Sequence, residues 1–353
     1  MISLCMIVKN EEKNIANCLN SVKDVVDEII IVDTGSSDKT KEVASNFTEN
    51  IYDYKWRNDF GNARNYSISK ANNDWILVLD GDENIVGYDK ESISNFVKVS
   101  STSSIGRIKR FNTFDRHGEV KTYIERVNRL FNKKYYKYEG IIHEQLTAKN
   151  NNIGEMIPID IDIEHTGYTT EVINSTNKIE RNINLLKEML LKAPNDIYIL
   201  YQLGKSYYMS GEYKEAYNYF KEAIGLLDED VFLLEYIEDL IESYGYCLIN
   251  LEKYEEALYI EKYEKYYKNE VDFIFLKALI YMNNSRFQES AEVFLKCLDM
   301  KEGKLLGTNS YLALYNIGVI FECLGFIKEA CEYYRLCGSY EAALKRIETI
   351  MKV

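Results

Sequence analysis

The chain has 353 residues, enough for two domains that each bury a core. Its formal net charge of −13 and pI near 5.0 exclude nucleic acid as a general partner, although one or two well-placed arginines can still bind phosphate. No run approaches the roughly twenty apolar residues that cross a membrane as a helix.

The first residues, MISLCMIV, lack a basic lead and a small-residue cleavage site, so they read as a strand rather than an export signal, and cysteines that read as reduced add the expectation of a cytoplasmic setting. The first strand, Ile2 to Val8, is followed by a helical stretch with Ile15, Cys18, Leu19 and Val22 on one face. Glu28 to Val32 is a second strand that runs into DTGSSDKT and a helix through Lys41 to Phe47. A short third strand near Ile51 and Tyr52 precedes WRNDFGNARNYSISKA, helical from about Asn62, and Trp75 to Leu79 is a fourth strand. Alternation of short apolar runs with helices predicts a parallel sheet with crossover helices. Between Ile105 and His165 the pattern shortens, which predicts antiparallel strands completing a mixed sheet.

From about Ile173 the period becomes helical. Leu200, Leu203, Gly204, Tyr207, Tyr213, Ala216, Phe220 and Ala223 fit a tetratricopeptide frame of about 34 residues beginning at Ile197. The frame recurs at Gly245, Ala278 and Gly318, and YEAALKRIETIMKV reads as a capping helix. The expected division is therefore 1–170 for the α/β domain, 171–196 for a linker helix and 197–353 for about four repeats and a cap. Most of the thirty tyrosines fall at packing positions of this frame. The seven cysteines form no CxxC pair and read as reduced, buried and structural.

The segment DWILVLDGDE places Asp80, Asp82 and Glu83 directly after an apolar strand. Ligands of open parallel sheets bind beyond the carboxyl ends of the strands, the rim that Asp33 also reaches. A divalent cation with a diphosphate would neutralise such a cluster, and oxygen ligands suit Mg²⁺ or Mn²⁺. The competing reading is a plain Asp-Gly turn. No GxxxxGK[ST] loop and no GxGxxG after the first strand are present, so a P-loop enzyme and a dinucleotide-binding domain are excluded.

The linked motifs SLCMIVKNEEKNIANCLNSVKDVVDEIIIVDTGSSDKT and DFGNARNYSISKANNDWILVLDGDE resemble the nucleotide-binding core of family 2 glycosyltransferases, inverting enzymes of the GT-A fold. RLF at 129–131 and GIIHE at 140–144 extend the resemblance. With its repeats the chain is similar to bacterial peptide S-glycosyltransferases and flagellin-modifying enzymes. The resemblance implies a UDP-sugar donor, with Val8, Asn10 and Glu11 lining the base pocket and Asp33 accepting from uracil or ribose. It implies that Arg64 contacts the nucleotide, that Asp80 and Gly81 meet ribose or sugar, and that Asp82 ligates Mn²⁺ or Mg²⁺. Arg129, or Arg126 beside it, would stabilise the departing diphosphate, Glu144 would be the general base, and His143 a further metal ligand or diphosphate contact. Asp33 competes for a capping role, for which Asp38 is better placed. His165 either faces the site or seals the domain junction, the reading preferred here, and His117 is expected to sit in a turn.

A repeat array behind a transferase domain implies a protein or peptide acceptor, such as flagellin or a secreted peptide precursor. The alternatives are a saccharide or glycolipid acceptor with the repeats used for docking or homodimerisation, and an inactive scaffold.

Overall fold

A computed structural model describes residues 1–116, 119–150, 152–168 and 178–352. The chain divides into two compact units, Met1–Asn177 and Lys178–Val353.

In the first unit an eight-stranded mixed sheet has the order β3-β2-β1-β4-β7-β6-β10-β5. Its strands are β1 (Ile2–Val8), β2 (Glu28–Asp33), β3 (Ile51–Asp53), β4 (Trp75–Val78), β5 (Glu83–Tyr88), β6 (Ile105–Arg116), β7 (Glu119–Asn132) and β10 (Met156–Tyr168). β1 to β4 pair in parallel, because α1 (Ile15–Val22), α2 (Thr40–Ala44) and α3 (Phe60–Lys70) provide the crossovers. α1 buries Ile15, Cys18, Leu19 and Val22 against that sheet, the stripe its spacing predicts. β7 then pairs antiparallel with both β4 and β6.

Two features of the second half depart from expectation. β10 runs parallel to β6 and antiparallel only to β5, because the long connection after β7 lets the chain return in the same direction. That connection carries a separate hairpin of β8 (Tyr136–Glu139) and β9 (Gln145–Ala148). The sheet also gains β5, which starts inside the acidic segment, and a helix α4 (Lys90–Val99) capped by Asp89.

The second unit is all helical. Lys178–Lys192 precedes the pair Ile197–Met209 and Tyr213–Gly225; residues 171–177 of the expected linker helix lie outside the described residues. Further pairs are Val271–Asn283 with Phe287–Leu298 and Tyr311–Cys323 with Ile327–Leu336, closed by Glu341–Met351. In the second repeat, Glu235–Asn250 packs on a broken partner, Tyr254–Ala257 and Glu264–Tyr267 joined by a 3-10 turn. The anchor glycines fit the crossings. A Cβ on Gly204 would lie 2.4 Å from the Phe220 ring, and one on Gly318 would lie 2.6 Å from that of Tyr334. The uneven spacing of anchors has two causes: a 3-10 helix at Glu229–Leu233, and a long connection before Tyr311. In the latter, the Lys304 amide donates to Asp272 Oδ2 at 2.5 Å and Thr308 Oγ1 donates to Asp272 Oδ1 at 3.0 Å. No helix among the described residues is long and apolar enough to cross a membrane.

Candidate active site

The site is built at the carboxyl ends of β1, β2 and β4. β1 and β2 pair in register up to Val8 and Asp33. Val8 is buried in the core, and its carbonyl accepts from the Thr34 amide at 2.9 Å, so only its backbone reaches the rim. Asp33 is 2% exposed. Its Oδ1 accepts from the Gly35 and Ser36 amides, each at 2.9 Å, which closes the turn after the strand. Its Oδ2 is buried with no hydrogen-bond partner. The two carboxylate oxygens thus differ: one shapes the turn and the other is buried without a partner. Asp38 holds Thr40 at the start of α2 and accepts from the Glu12 amide at 3.1 Å.

Asn10 takes a left-handed conformation, φ 57°, and its Oδ1 accepts from the Ser37 amide at 2.8 Å. The Asn10 amide donates to Ser36 Oγ at 2.9 Å, so this residue ties two rim loops together through contacts with the chain itself. Glu11 packs against Gly81, where a Cβ would come within 2.9 Å of its side chain, and accepts from Asn14 at 2.9 Å.

The motif DFGNARN explains itself in three contacts. Asp59 caps α3 through the Asn62 amide at 2.8 Å. Gly61 lets the loop after β8 dock on the helix start: its amide donates to the Gly140 carbonyl at 3.1 Å, and a Cβ there would sit 2.7 Å from that oxygen. Asn65 clamps β8 by exchanging hydrogen bonds with the Tyr138 backbone at 2.8 and 2.9 Å. The result places Glu144 against Arg64, two residues far apart in sequence.

Arg64 is buried and bridges two carboxylates. Its Nε bonds Glu144 Oε1, and its Nη2 lies 2.8 Å from Asp80 Oδ1. Its Nη1 is buried without a hydrogen-bond partner. Arg129 meets Asp80 Oδ2 at 3.0 Å and Glu83 Oε1 at 2.8 Å. Glu83 is fully buried; it also accepts from Arg110 at 3.0 Å and from the Asp80 amide at 2.9 Å. Burial opposes ionisation of Asp80, but Arg64 and Arg129 outweigh it and hold the carboxyl well below the usual range.

Much of the negative charge at the strand end is therefore neutralised by arginines, not reserved for a metal. Asp82 differs. Its Oδ2 lies 3.4 Å from Nε2 of His165, whose Nδ1 is 2.9 Å from Asn112 Oδ1. His165 thus lies beside the Asp80–Asp82 turn. The sequence placed it at a strand end but gave no sign that β10 would lie between β6 and β5. Arg110 and Glu125 carry no signal in the sequence, and Glu83 reads there only as part of the acidic cluster, for the same reason: their partnership depends on register across four strands. Of the two candidate arginines on β7, Arg129 enters the network and Arg126 is exposed. His143 stands beside Glu144 on the loop after β8, with φ 48°. His117 lies outside the described residues.

Among the described residues no three His, Cys, Asp or Glu side chains gather as a metal-binding group. Asp82 and His165 nevertheless form a pair suited to a cation that completes its shell with diphosphate and water.

The model of glycosyl transferase family 2 matches residues 3–144, and tetratricopeptide-repeat models match 197–230 and 271–304. The chain is 30% identical over 281 residues to the SPbeta prophage-derived glycosyltransferase SunS of Bacillus subtilis (strain 168), covering 79% of this chain and 66% of that protein. It is 30% identical over 234 residues to a TPR repeat-containing protein of Synechococcus elongatus, covering 63% and 56%. It thus spans just under two thirds of the first relative and over half of the second. Among solved structures, the crystal structure of MamA aligns with a TM-score of 0.39 at 19% identity, over 51% of this chain and 95% of that one. An N-terminal family 2 glycosyltransferase domain, followed by tetratricopeptide repeats, is what this chain contains.

Proposed function

We propose that the protein transfers a hexose or N-acetylhexosamine from a UDP-sugar, with inversion and with Mn²⁺ or Mg²⁺ bound, to a protein or peptide acceptor engaged through the repeats. The observation that carries this reading is Asp82 set against His165 beside an Asp80 already satisfied by two arginines. The Oδ2 of Asp33 supplies an acceptor for a uracil N–H or a ribose hydroxyl, and Arg64 Nη1 a donor for the nucleotide. Asp82 and His165 would hold the cation, which supplies Lewis-acid stabilisation to the departing UDP. Glu144, oriented by Arg64, takes the acceptor proton as the acceptor atom bonds the anomeric carbon and the sugar–diphosphate bond breaks.

The repeat array supports a polypeptide acceptor because stacked helix pairs present an extended face. Seven cysteines without a disulfide support a cytoplasmic setting. The test is slow hydrolysis of UDP-sugars with Mn²⁺ and no acceptor. Turnover lost in Asp82→Ala supports the reading. Equal inertness of wild type and variant across a panel of UDP-sugars rejects it in favour of a scaffold.

A further inference from the structure

The contacts behind His165 fix more than its position. Oε1 of Glu125 accepts from Arg110 Nε at 3.1 Å and Nη2 at 2.7 Å, and lies 2.5 Å from the Asn112 side chain. A carboxylate can only accept, so Asn112 must turn its NH₂ toward Glu125. Its carbonyl oxygen then faces His165 Nδ1 at 2.9 Å, and because that oxygen also only accepts, Nδ1 must carry the proton. In the neutral ring Nε2 is left with a lone pair, directed at Asp82 Oδ2 at 3.4 Å. In that form the ring nitrogen and the carboxylate oxygen both offer lone pairs that one cation can ligate.

Register builds this chain of contacts into the sheet. Asn112 pairs with His165 across β6 and β10, Arg110 with Glu125 across β6 and β7, and Glu83 with His165 across β5 and β10. Asn112 is 5% exposed, so water competes poorly for its amide. Groups carried on strands are positioned more precisely than groups carried on loops.

We propose that Asn112 and Glu125 are positioning residues that lock His165 in its Nδ1–H form, so that Nε2 presents a lone pair to a divalent cation shared with Asp82. The proposal rests on the metal-dependent reading above. Outer partners of metal-bound histidines act in this way, and their loss costs about 10–100-fold in metal affinity.

The experiment has two readouts apart from turnover. In ¹⁵N imidazole spectra of the metal-free full chain, with His165 assigned by its absence in His165→Ala, the wild type should show a protonated Nδ1 and a bare Nε2. In Mn²⁺ titrations with UDP present, read by manganese EPR, Asn112→Leu and Glu125→Leu should each weaken Mn²⁺ by about 10–100-fold, while UDP binding without metal stays unchanged. A wild-type ring protonated at Nε2 overturns the proposal, and that measurement requires no variant to fold. Unchanged Mn²⁺ affinity in Asn112→Leu while His165→Ala is weakened overturns the positioning role alone. Unchanged affinity in His165→Ala itself removes the metal-site reading beneath it.

Discussion

Arg64 Nη2 lies 2.8 Å from Asp80 Oδ1, and this pairing converts a strand-end carboxylate into a fixed part of the site. The same guanidinium holds Glu144, so one residue orients both the DxD turn and the proposed base. Arg64→Gln should therefore lose donor turnover by about 10–150-fold, the worth of one hydrogen bond between charged groups. It should also alter acid stability. A carboxyl held below its ordinary pKa contributes stability that is present above the unfolded value, near 3.9, and lost as pH falls through the folded one. Without Arg64 the folded value rises, so acid unfolding followed by circular dichroism should begin at higher pH.

Asp33 separates two functions that a single alanine substitution would confuse. Asp33→Asn keeps an oxygen for the Gly35 and Ser36 amides but replaces the unpartnered Oδ2 with a donor. Its melting temperature should stay close to wild type while KM for the UDP-sugar rises about tenfold or more. Asp33→Ala should lose both.

The repeat unit offers a packing test. Gly204→Ala drives a methyl into the fully buried Phe220 ring, at a cost of about 1–3 kcal/mol in urea denaturation. Gly225 is helical with nothing within 4 Å of a built Cβ, so Gly225→Ala should be neutral or stabilising by up to about 1 kcal/mol.

Glu242, on the helix Glu235–Asn250, is 5% exposed, and its Oε1 has no partner. Burial pushes its carboxyl well above the usual range; Lys304 opposes this, and Glu238 and Asp272 reinforce it. For a raised carboxyl, the stability it contributes is fully present below the unfolded pKa, near 4.3, and is lost as pH rises through the folded value. Glu242→Gln, which resembles the protonated acid, should raise the melting temperature at pH 7–8 and leave it unchanged near pH 4. Each kcal/mol gained is worth about 2–4 °C for a unit of this size.

Local patterns carried the first half of the α/β unit and the repeats into view. The stripe Ile15, Cys18, Leu19 and Val22 and the apolar run before Asp80 are decided by neighbours in sequence, and the glycines at 204, 245 and 318 by the period of the repeat. Asp33, Arg64, Asp80 and Asp82 stand out in the sequence as candidates because each lies at a strand end or in a linked motif. What the sequence hid was pairing. ENIVGY begins on the last of three acidic residues and could pass for a loop, yet becomes β5 because β10 offers it an edge. Glu83 reads as one more site carboxylate, but two arginines from β6 and β7 hold it in the interior. His165 needed a parallel β6–β10 register, set by a connection whose length predicts no direction.

Calorimetry of UDP binding with and without Mn²⁺ tests the central claim most directly. The wild type should take up UDP more tightly by tenfold or more, about 1.4 kcal/mol, when Mn²⁺ is present, and Asp82→Ala should show no such gain. Equal UDP affinity with and without Mn²⁺ in the wild type would contradict the account.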